Sequence, residues 1–202
     1  NYRVFKSTDF RDYMREFGSI VDMKSFNGNI VCTFEHGVCL MPVNERAVAA
    51  NGAGGEAFIN TNNVIPLNPR VLNSNYGSMW QESVIMTPNY VYGVDATAKK
   101  IWRTNGARFE VISDFKVQQF LNKFIALKER EKTPIIGVRN VKSHYNAYKQ
   151  DVIFTFYNSL YGTQEQAWSL CFNELLNKWV TQYSWIPYWS ANLDNVFFKF
   201  DG

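Results

Sequence analysis

The amino-acid sequence predicts an all-β protein whose antiparallel meanders form β-propeller blades, about three in number, together with one amphipathic helix. Two observations support this prediction. Short apolar strands recur between turn residues, and each group of strands is closed by tight turns before a longer connection begins. Local closure is typical of propeller blades, whereas Greek keys interleave distant strands. An open sandwich is the alternative architecture.

The first blade-like group covers residues 19–43. Asn27-Gly28 predicts a hairpin, because these residue types provide the two positive φ angles that a type I′ turn requires. His36-Gly37 is expected to turn the chain a second time. The three strands are expected at residues 20–26, 29–34 and 38–43.

Two further groups and the beginning of a fourth follow along the chain. They cover residues 83–112, 138–184 and 196–200. In the second group, turn residues such as Asn105-Gly106 separate four short strands. In the third group, residues 151–157 are apolar on both faces, which predicts a strand sandwiched between neighbouring layers. Residues 196–200 are expected to be the first strand of a fourth group.

Two segments between these groups have a different character. Residues 49–63 are rich in glycine and asparagine and are expected to form an exposed, mobile loop. Residues 115–130 are expected to form a helix, with Ser113 or Asp114 as its N-cap. Its apolar stripe consists of Val117, Phe120, Leu121, Phe124 and Ile125.

The composition excludes several classes of protein. The chain has 202 residues, of which 46% are hydrophobic, so it can bury a sizeable core and is not disordered. Its net charge is only +3 and the charges are scattered, so nucleic acid is not an expected partner. The longest apolar runs are far shorter than the roughly 20 residues of a transmembrane helix. The first residues do not resemble a signal peptide, and the chain is expected to be a piece of a longer protein.

The sequence contains no recognisable catalytic or cofactor-binding motif. The usual hydrolase and nucleotide-binding signatures are absent, so neither enzymatic activity nor a cofactor is expected. His36 and His144 are both expected in surface turns, and the histidines and cysteines have no spacing suited to a zinc site. Cys32, Cys39 and Cys171 are expected to be reduced and packed. A turn at His36-Gly37 places Cys32 and Cys39 diagonally, which does not favour a disulfide between them.

An aromatic cluster within seven residues is the candidate site. Three interpretations are open: packing between blades, a contact between subunits, or a platform on which sugar rings stack. The last would make the protein a glycan-binding propeller that contacts a host surface. The cluster consists of Tyr183, Trp185, Tyr188 and Trp189.

Several stretches resemble the tail muzzle proteins of crAss-like short-tailed bacteriophages. The likeness is carried by residues 92–95, 100–103 and 109–114, and by residues 151–156 and 168–179. Together with residues 19–45, it covers most of residues 17–200. These motifs are turn and packing patterns, and they include no catalytic residue.

The resemblance implies a β-propeller-bearing virion component at the distal end of the phage tail. Such a protein is expected to contact other phage tail proteins, to form a homo-oligomer around the tail axis, and to help seal or gate the tail channel. Members of the family are longer than this chain. About three blades are fewer than the four to eight that close a propeller, so other chains or further parts of the parent chain are expected to complete the ring.

Overall fold

The computed structural model describes residues 15–42, 46–51, 55–60, 69–114, 116–124, 138–158, 168–183, 185–187, 189–193 and 196–200. Apart from one α-helix and two short 3-10 turns, the regular structure in these ranges is β-strand. The strands are β1 (Ile20–Phe26), β2 (Asn29–Phe34), β3 (Val38–Pro42), β4 (Arg46–Asn51), β5 (Gly55–Asn60), β6 (Arg70–Asn73), β7 (Ile85–Met86), β8 (Val91–Asp95), β9 (Lys100–Thr104), β10 (Phe109–Val111), β11 (Val138–Asn146), β12 (Asp151–Asn158), β13 (Trp168–Asn173), β14 (Lys178–Tyr183), β15 (Trp189–Leu193) and β16 (Val196–Phe200). The helix is α1 (Gln118–Phe124), and the 3-10 turns are Arg15–Phe17 and Gln81–Ser83.

All strand pairs are antiparallel within the described residues, which confirms the predicted all-β class. Three sheets have four strands each: β1-β2-β3-β6, β7-β8-β9-β10 and β11-β12-β13-β14. We call them the first, second and third sheets. Two hairpins, β4-β5 and β15-β16, form two-stranded sheets. The second and third sheets are simple meanders, as the recurrence of turns predicts.

The β1-β2 hairpin has the predicted bounds and the predicted turn. Asn27 and Gly28 have φ angles of 49° and 73°, both in the left-handed region that a type I′ turn uses. Phe26 pairs directly with Asn29, so the turn contains only these two residues. The local sequence therefore predicts this hairpin correctly.

The next turn differs from the prediction by one residue. Glu35 and His36 form the turn, and the backbone N–H of Phe34 donates to the carbonyl of Gly37. Cys32 consequently lies directly opposite Cys39, so the predicted diagonal placement is wrong. The shift has a tertiary cause, because Glu35 and His36 donate backbone hydrogen bonds to Ser19 and Phe17. Cys32, Cys39 and Cys171 are free and buried.

The prediction of a loop over residues 49–63 is wrong for the strand segments that it includes. Residues 46–51 pair with residues 55–60 as the β4-β5 hairpin, which lies between β3 and β6 along the chain. The alanine-rich β4 lacks the apolar alternation that marks a strand in the sequence. Strand β6 then returns to pair with β3 and completes the first sheet, a non-local pairing that local patterns do not reveal.

The chain also begins its last sheet earlier than predicted. Residues 196–200 form β16, the second strand of a hairpin whose first strand is Trp189–Leu193. The prediction that residues 196–200 open this group is therefore wrong. Trp189 and Phe200 form the pair at the open end of the hairpin.

The second sheet lies between the other two and is buried on both faces. Tyr92, Val94 and Ile101 pack in one core cluster with residues of the third sheet. Val91 and Trp102 pack in another cluster with residues of the first sheet. Alternation along β8 and β9 accounts for this division, because neighbouring side chains on a strand point to opposite faces. The three sheets therefore stack face to face.

Gly77 joins the first and second sheets. Its carbonyl accepts a hydrogen bond from the indole Nε1 of Trp102 at 2.7 Å, and its N–H donates to Oδ2 of Asp95 at 2.9 Å. The next residue, Ser78, donates its N–H to the carbonyl of Phe34 in β2 at 2.9 Å. Buried polar groups at this junction are thus satisfied across the two sheets.

A polar network joins the second and third sheets. Oε1 of Glu174, in the β13-β14 turn, accepts hydrogen bonds from the Tyr92 hydroxyl at 2.9 Å and the Thr87 hydroxyl at 2.6 Å. The guanidinium of Arg103 lies 4.4 Å from the centre of the Tyr90 ring and 5.5 Å from that of Phe172. The network therefore connects strands of both sheets through charge-assisted contacts.

Helix α1 occupies part of the predicted helical segment 115–130. Val117 and Leu121 are buried in the core shared by the second and third sheets, and Phe120 packs edge-on against Trp168 at 4.4 Å. Ser113 accepts a hydrogen bond from the N–H of Ile101. The other predicted cap, Asp114, forms an ion pair with Lys100. Residues 125–137 lie outside the described residues, and no helix among the described ones is long and apolar enough to cross a membrane.

The first strand of the third sheet, β11, lies next to the first strands of the second sheet and of the β15-β16 hairpin. Ser143 of β11 donates a hydrogen bond to the carbonyl of Ser83, just before β7, at 2.7 Å. On its other side, β11 meets β15, where Asn192 donates to the carbonyl of Tyr145 at 2.7 Å. Strands β7, β11 and β15 thus follow one another along one side of the stack.

Replacing Tyr92 with Phe should destabilise the fold. The variant removes a partly buried hydrogen bond from the buried Tyr92 to the Glu174 carboxylate, so we expect the free energy of unfolding to fall by about 1.5–3 kcal/mol. Urea unfolding measures the effect. The matched control is Tyr148→Phe. Tyr148 is 68% exposed, so the loss of its hydroxyl group should leave the free energy of unfolding unchanged. Equal unfolding midpoints for the two variants would contradict this assignment.

Replacing Gly93 with Ala should be destabilising because a Cβ atom there would lie 2.3 Å from Cζ2 of Trp102. We expect a loss of about 1–3 kcal/mol in the free energy of unfolding. Combining it with Trp102→Phe frees space, so the double variant should lose less stability than the sum of the single variants. Strictly additive losses in urea unfolding would show that the two residues do not compete for space.

Candidate interface around the aromatic segment 183–189

The structure divides the predicted aromatic cluster into parts with different surroundings. Tyr183 ends β14, and its ring stacks on that of Trp185 with a centroid distance of 4.5 Å. The Trp185 ring also lies 6.4 Å from that of Phe197 in β16. Tyr188 lies outside the described residues. Trp189 begins β15 and is 58% exposed.

Tyr183 and Trp185 cover the outer face of the third sheet. The Trp185 carbonyl accepts a hydrogen bond from the hydroxyl of Ser169 in β13 at 3.1 Å. Burial, followed by the nearby Cys171 thiol, raises the pKa of Tyr183 to about 12. These two residues therefore contribute to packing between the third sheet and the β15-β16 hairpin, which is the first of the three interpretations that the sequence leaves open.

Trp189 lines a cleft between β7, β11 and β15 of about 380 Å³. The cleft also contains Met86, which is 43% exposed, and Lys142, whose Nζ lies 3.3 Å from Oε1 of Glu82. Exposed Trp and Met side chains beside a charged pair are typical of surfaces that bury apolar area on contact with another protein. We call this surface the β7-β11-β15 cleft.

His144 forms part of the wall of the β7-β11-β15 cleft. The sequence places it in a surface turn, but β11 extends to Asn146 and His144 is buried within the strand. Its Nδ1 lies 2.8 Å from the hydroxyl of Ser190 in β15. Burial and the neighbouring Lys142 lower the pKa of His144 to about 4, against the opposing effects of the Pro187 carbonyl and Glu82. His144 is therefore neutral at pH 7 and connects β11 to β15. By contrast, His36 is exposed in a turn, as predicted.

The described acidic residues mainly hold the fold together. Asp95 and Glu174 accept the hydrogen bonds that join neighbouring sheets. Asn173 donates to Asp151 at 2.7 Å inside the third sheet. Across the described ranges, no group of three His, Cys, Asp or Glu side chains is placed to hold a metal ion.

The family model described as Crassvirus muzzle protein matches residues 1–201. The chain belongs to the Crassvirus muzzle protein family. The resemblance inferred from the sequence is thereby confirmed. No curated protein matches the chain significantly.

Membership in the muzzle family places the protein among phage structural proteins and makes it a component of the virion. Contacts with other virion proteins follow from that role. Of the described residues in the predicted cluster, Trp189 is the exposed one, and it lies in the β7-β11-β15 cleft. Met86 and Lys142 of this cleft were missed by sequence reasoning, because they lie far from residues 183–189 along the chain and meet them only through the adjacency of β7, β11 and β15.

His144 should make the stability of this muzzle-family protein depend on pH. Its pKa is about 4 in the folded chain and about 6.5 in the unfolded chain, so the unfolded chain binds a proton first as the pH falls. The stabilisation that comes from the neutral, buried His144 is fully present above about pH 6.5. As the pH falls towards 4, the free energy of unfolding decreases by about 3 kcal/mol at most.

The measurement is urea unfolding at several pH values between 4 and 7 for wild type and for His144→Gln. The variant should lose part of the acid sensitivity, whatever its stability at pH 7. His36→Gln, at the exposed histidine, is the control and should keep the wild-type profile. An unchanged pH profile in His144→Gln would contradict the assignment of His144 as a buried neutral residue.

Proposed function

We propose that this protein is a structural component of the phage tail tip that assembles through subunit contacts and helps to seal or gate the tail channel. The observation that carries the proposal is the family match over residues 1–201, together with the stack of antiparallel sheets. Its role is mechanical rather than enzymatic, and the contribution of each subunit is buried contact area.

The arrangement of the sheets supports an interpretation as propeller blades. In a β-propeller, successive four-stranded meanders stack around an axis, and their first strands lie next to one another. The three four-stranded sheets stack in chain order, and β7, β11 and β15 are adjacent. We interpret the two-stranded β15-β16 hairpin as part of a further blade. Further strands, from this or another chain, would complete the ring.

The β7-β11-β15 cleft is the contact surface that we assign to a neighbouring subunit or tail protein. Trp189 presents a large exposed ring, and such aromatic anchors contribute about 2 kcal/mol or more when fully buried at an interface. The alternative function, a glycan-binding propeller using Trp185, Tyr188 and Trp189, receives less support. Trp185 is half-buried and stacked on Tyr183, which reduces the ring surface open to a sugar.

Replacing Trp189 with Ala should weaken self-association by about tenfold or more, because the anchor of the contact is lost. Sedimentation velocity at micromolar concentrations, with native mass spectrometry, measures the oligomer population. Tyr148→Ala is the control, since Tyr148 is also an exposed aromatic residue but lies in the β11-β12 turn. A wild-type chain that stays monomeric and forms no cross-link to a neighbouring tail protein in phage particles would count decisively against the proposal.

A further inference from the structure

A second cleft lies at the seam between the second and third sheets and contains none of the residues of the predicted aromatic cluster. It has a volume of about 450 Å³ and is lined by side chains from β9, β10, β13 and β14 and from the segment before α1. This volume falls within the range of ordinary small-molecule sites, which combine an apolar floor with a few polar groups. We call it the Trp179 cleft.

Aromatic rings form the apolar part of the Trp179 cleft. The Trp179 ring packs against that of Phe172 at 5.3 Å with an interplanar angle of 70°. Its Nε1 donates a hydrogen bond to the carbonyl of Ile112 at 2.8 Å, which fixes the orientation of the indole. A ring held in this way is pre-organised to receive the flat apolar side of a ligand, with little entropy lost on binding.

The charges around the Trp179 cleft are unbalanced towards the positive. Arg103 is neutralised by Glu110, whose Oε2 accepts from its Nε at 2.9 Å and lies 2.8 Å from its Nη2. Lys116 and Lys178 also line the cleft, and neither forms an ion pair with any residue in the described ranges. Two lysine charges are therefore available to an anionic ligand.

The backbone at Lys116 is strained. Its φ angle is 68°, in the left-handed region that lysine rarely adopts. Such a conformation costs free energy, which a glycine at this position would relieve. Lys99 also has a positive φ angle, of 55°, but does not line the cleft, which makes it a natural comparison.

The remaining polar groups select among anionic ligands. Glu110 provides carboxylate oxygens that accept hydrogen bonds, and Asn177 provides an amide that both donates and accepts. A ligand that carries hydroxyl groups can donate a hydrogen bond to Glu110, whereas a ligand that carries only carboxylates gains no hydrogen bond from it. An acidic ligand with hydroxyl groups and a ring therefore matches the lysines, the carboxylate and the indole together.

We propose that the Trp179 cleft binds a carboxylated sugar unit, of the kind represented by uronic acids in glycans. The sugar ring packs on Trp179, its carboxylate lies between Lys116 and Lys178, and its hydroxyl groups bond to Asn177 and Glu110. This site is separate from the contact surface around Trp189. The sugar-binding proposal can therefore be tested independently of the tail-tip proposal.

The test is calorimetric titration of the intact chain with glucuronate, glucose and acetate as separate probes. Glucuronate should bind, with an affinity that falls as salt screens the lysines, and glucose and acetate should bind at least about tenfold more weakly. Acetate binding as tightly as glucuronate would reduce the site to a simple anion pocket and overturn the proposal. Equal binding of glucose, or no detectable binding of glucuronate, would also overturn it.

Two matched variants locate the binding. Lys116→Gly removes one lysine charge at a positive φ angle and relieves the backbone strain, so the fold should be retained. Lys99→Gly makes the same chemical change outside the cleft. We expect Lys116→Gly to weaken glucuronate binding by about tenfold or more and Lys99→Gly to leave it unchanged. Lys178→Gln, at an exposed position, should act like Lys116→Gly. If all three variants bound glucuronate with the wild-type affinity, the sugar would be bound elsewhere and the proposal would be refuted.

Discussion

The structure depends on one constraint, namely that the β8-β9 pair must bury both of its faces. Gly93 lies opposite Trp102, and its lack of a side chain provides the space that the indole fills towards the first sheet. The neighbouring pair, Tyr92 and Arg103, points the other way and contacts the third sheet. Two consecutive residue pairs therefore attach one hairpin to two different layers, and the stacking of the sheets follows from this division.

Stacking in chain order has a consequence for the polar groups at the seams. Each seam has to satisfy buried hydrogen-bond donors and acceptors that belong to different sheets. Glu174 does so between the second and third sheets, and Ser190 does so with His144 between the third sheet and the last hairpin. These partners are widely separated along the chain. Their hydrogen bonds therefore form only when the sheets stack in this order and at this spacing.

Local signals in the sequence predict the hairpins well, whereas they miss pairings that depend on distant segments. Asn27-Gly28 defines its turn by residue type alone, and the structure has the predicted strand bounds on both sides. The turn after β2 is shifted because Phe17 and Ser19 accept hydrogen bonds from it. Likewise, the burial of His144 follows from its contact with Ser190, 46 residues away, and no local pattern could indicate it.

The same distinction explains why aromatic density along the chain only partly predicts the candidate sites. Tyr183 and Trp185 are two residues apart and mostly contribute to packing, since their rings stack on each other and Trp185 lies against Phe197 of the last hairpin. Exposed or cleft-lining groups such as Trp189 and Lys116 instead lie where successive sheets meet. In this stack of sheets, each cleft at a seam is lined by residues from three or four strands. The chemistry of a seam is therefore determined by which sheets are neighbours, and that order is set by the two-faced β8-β9 pair.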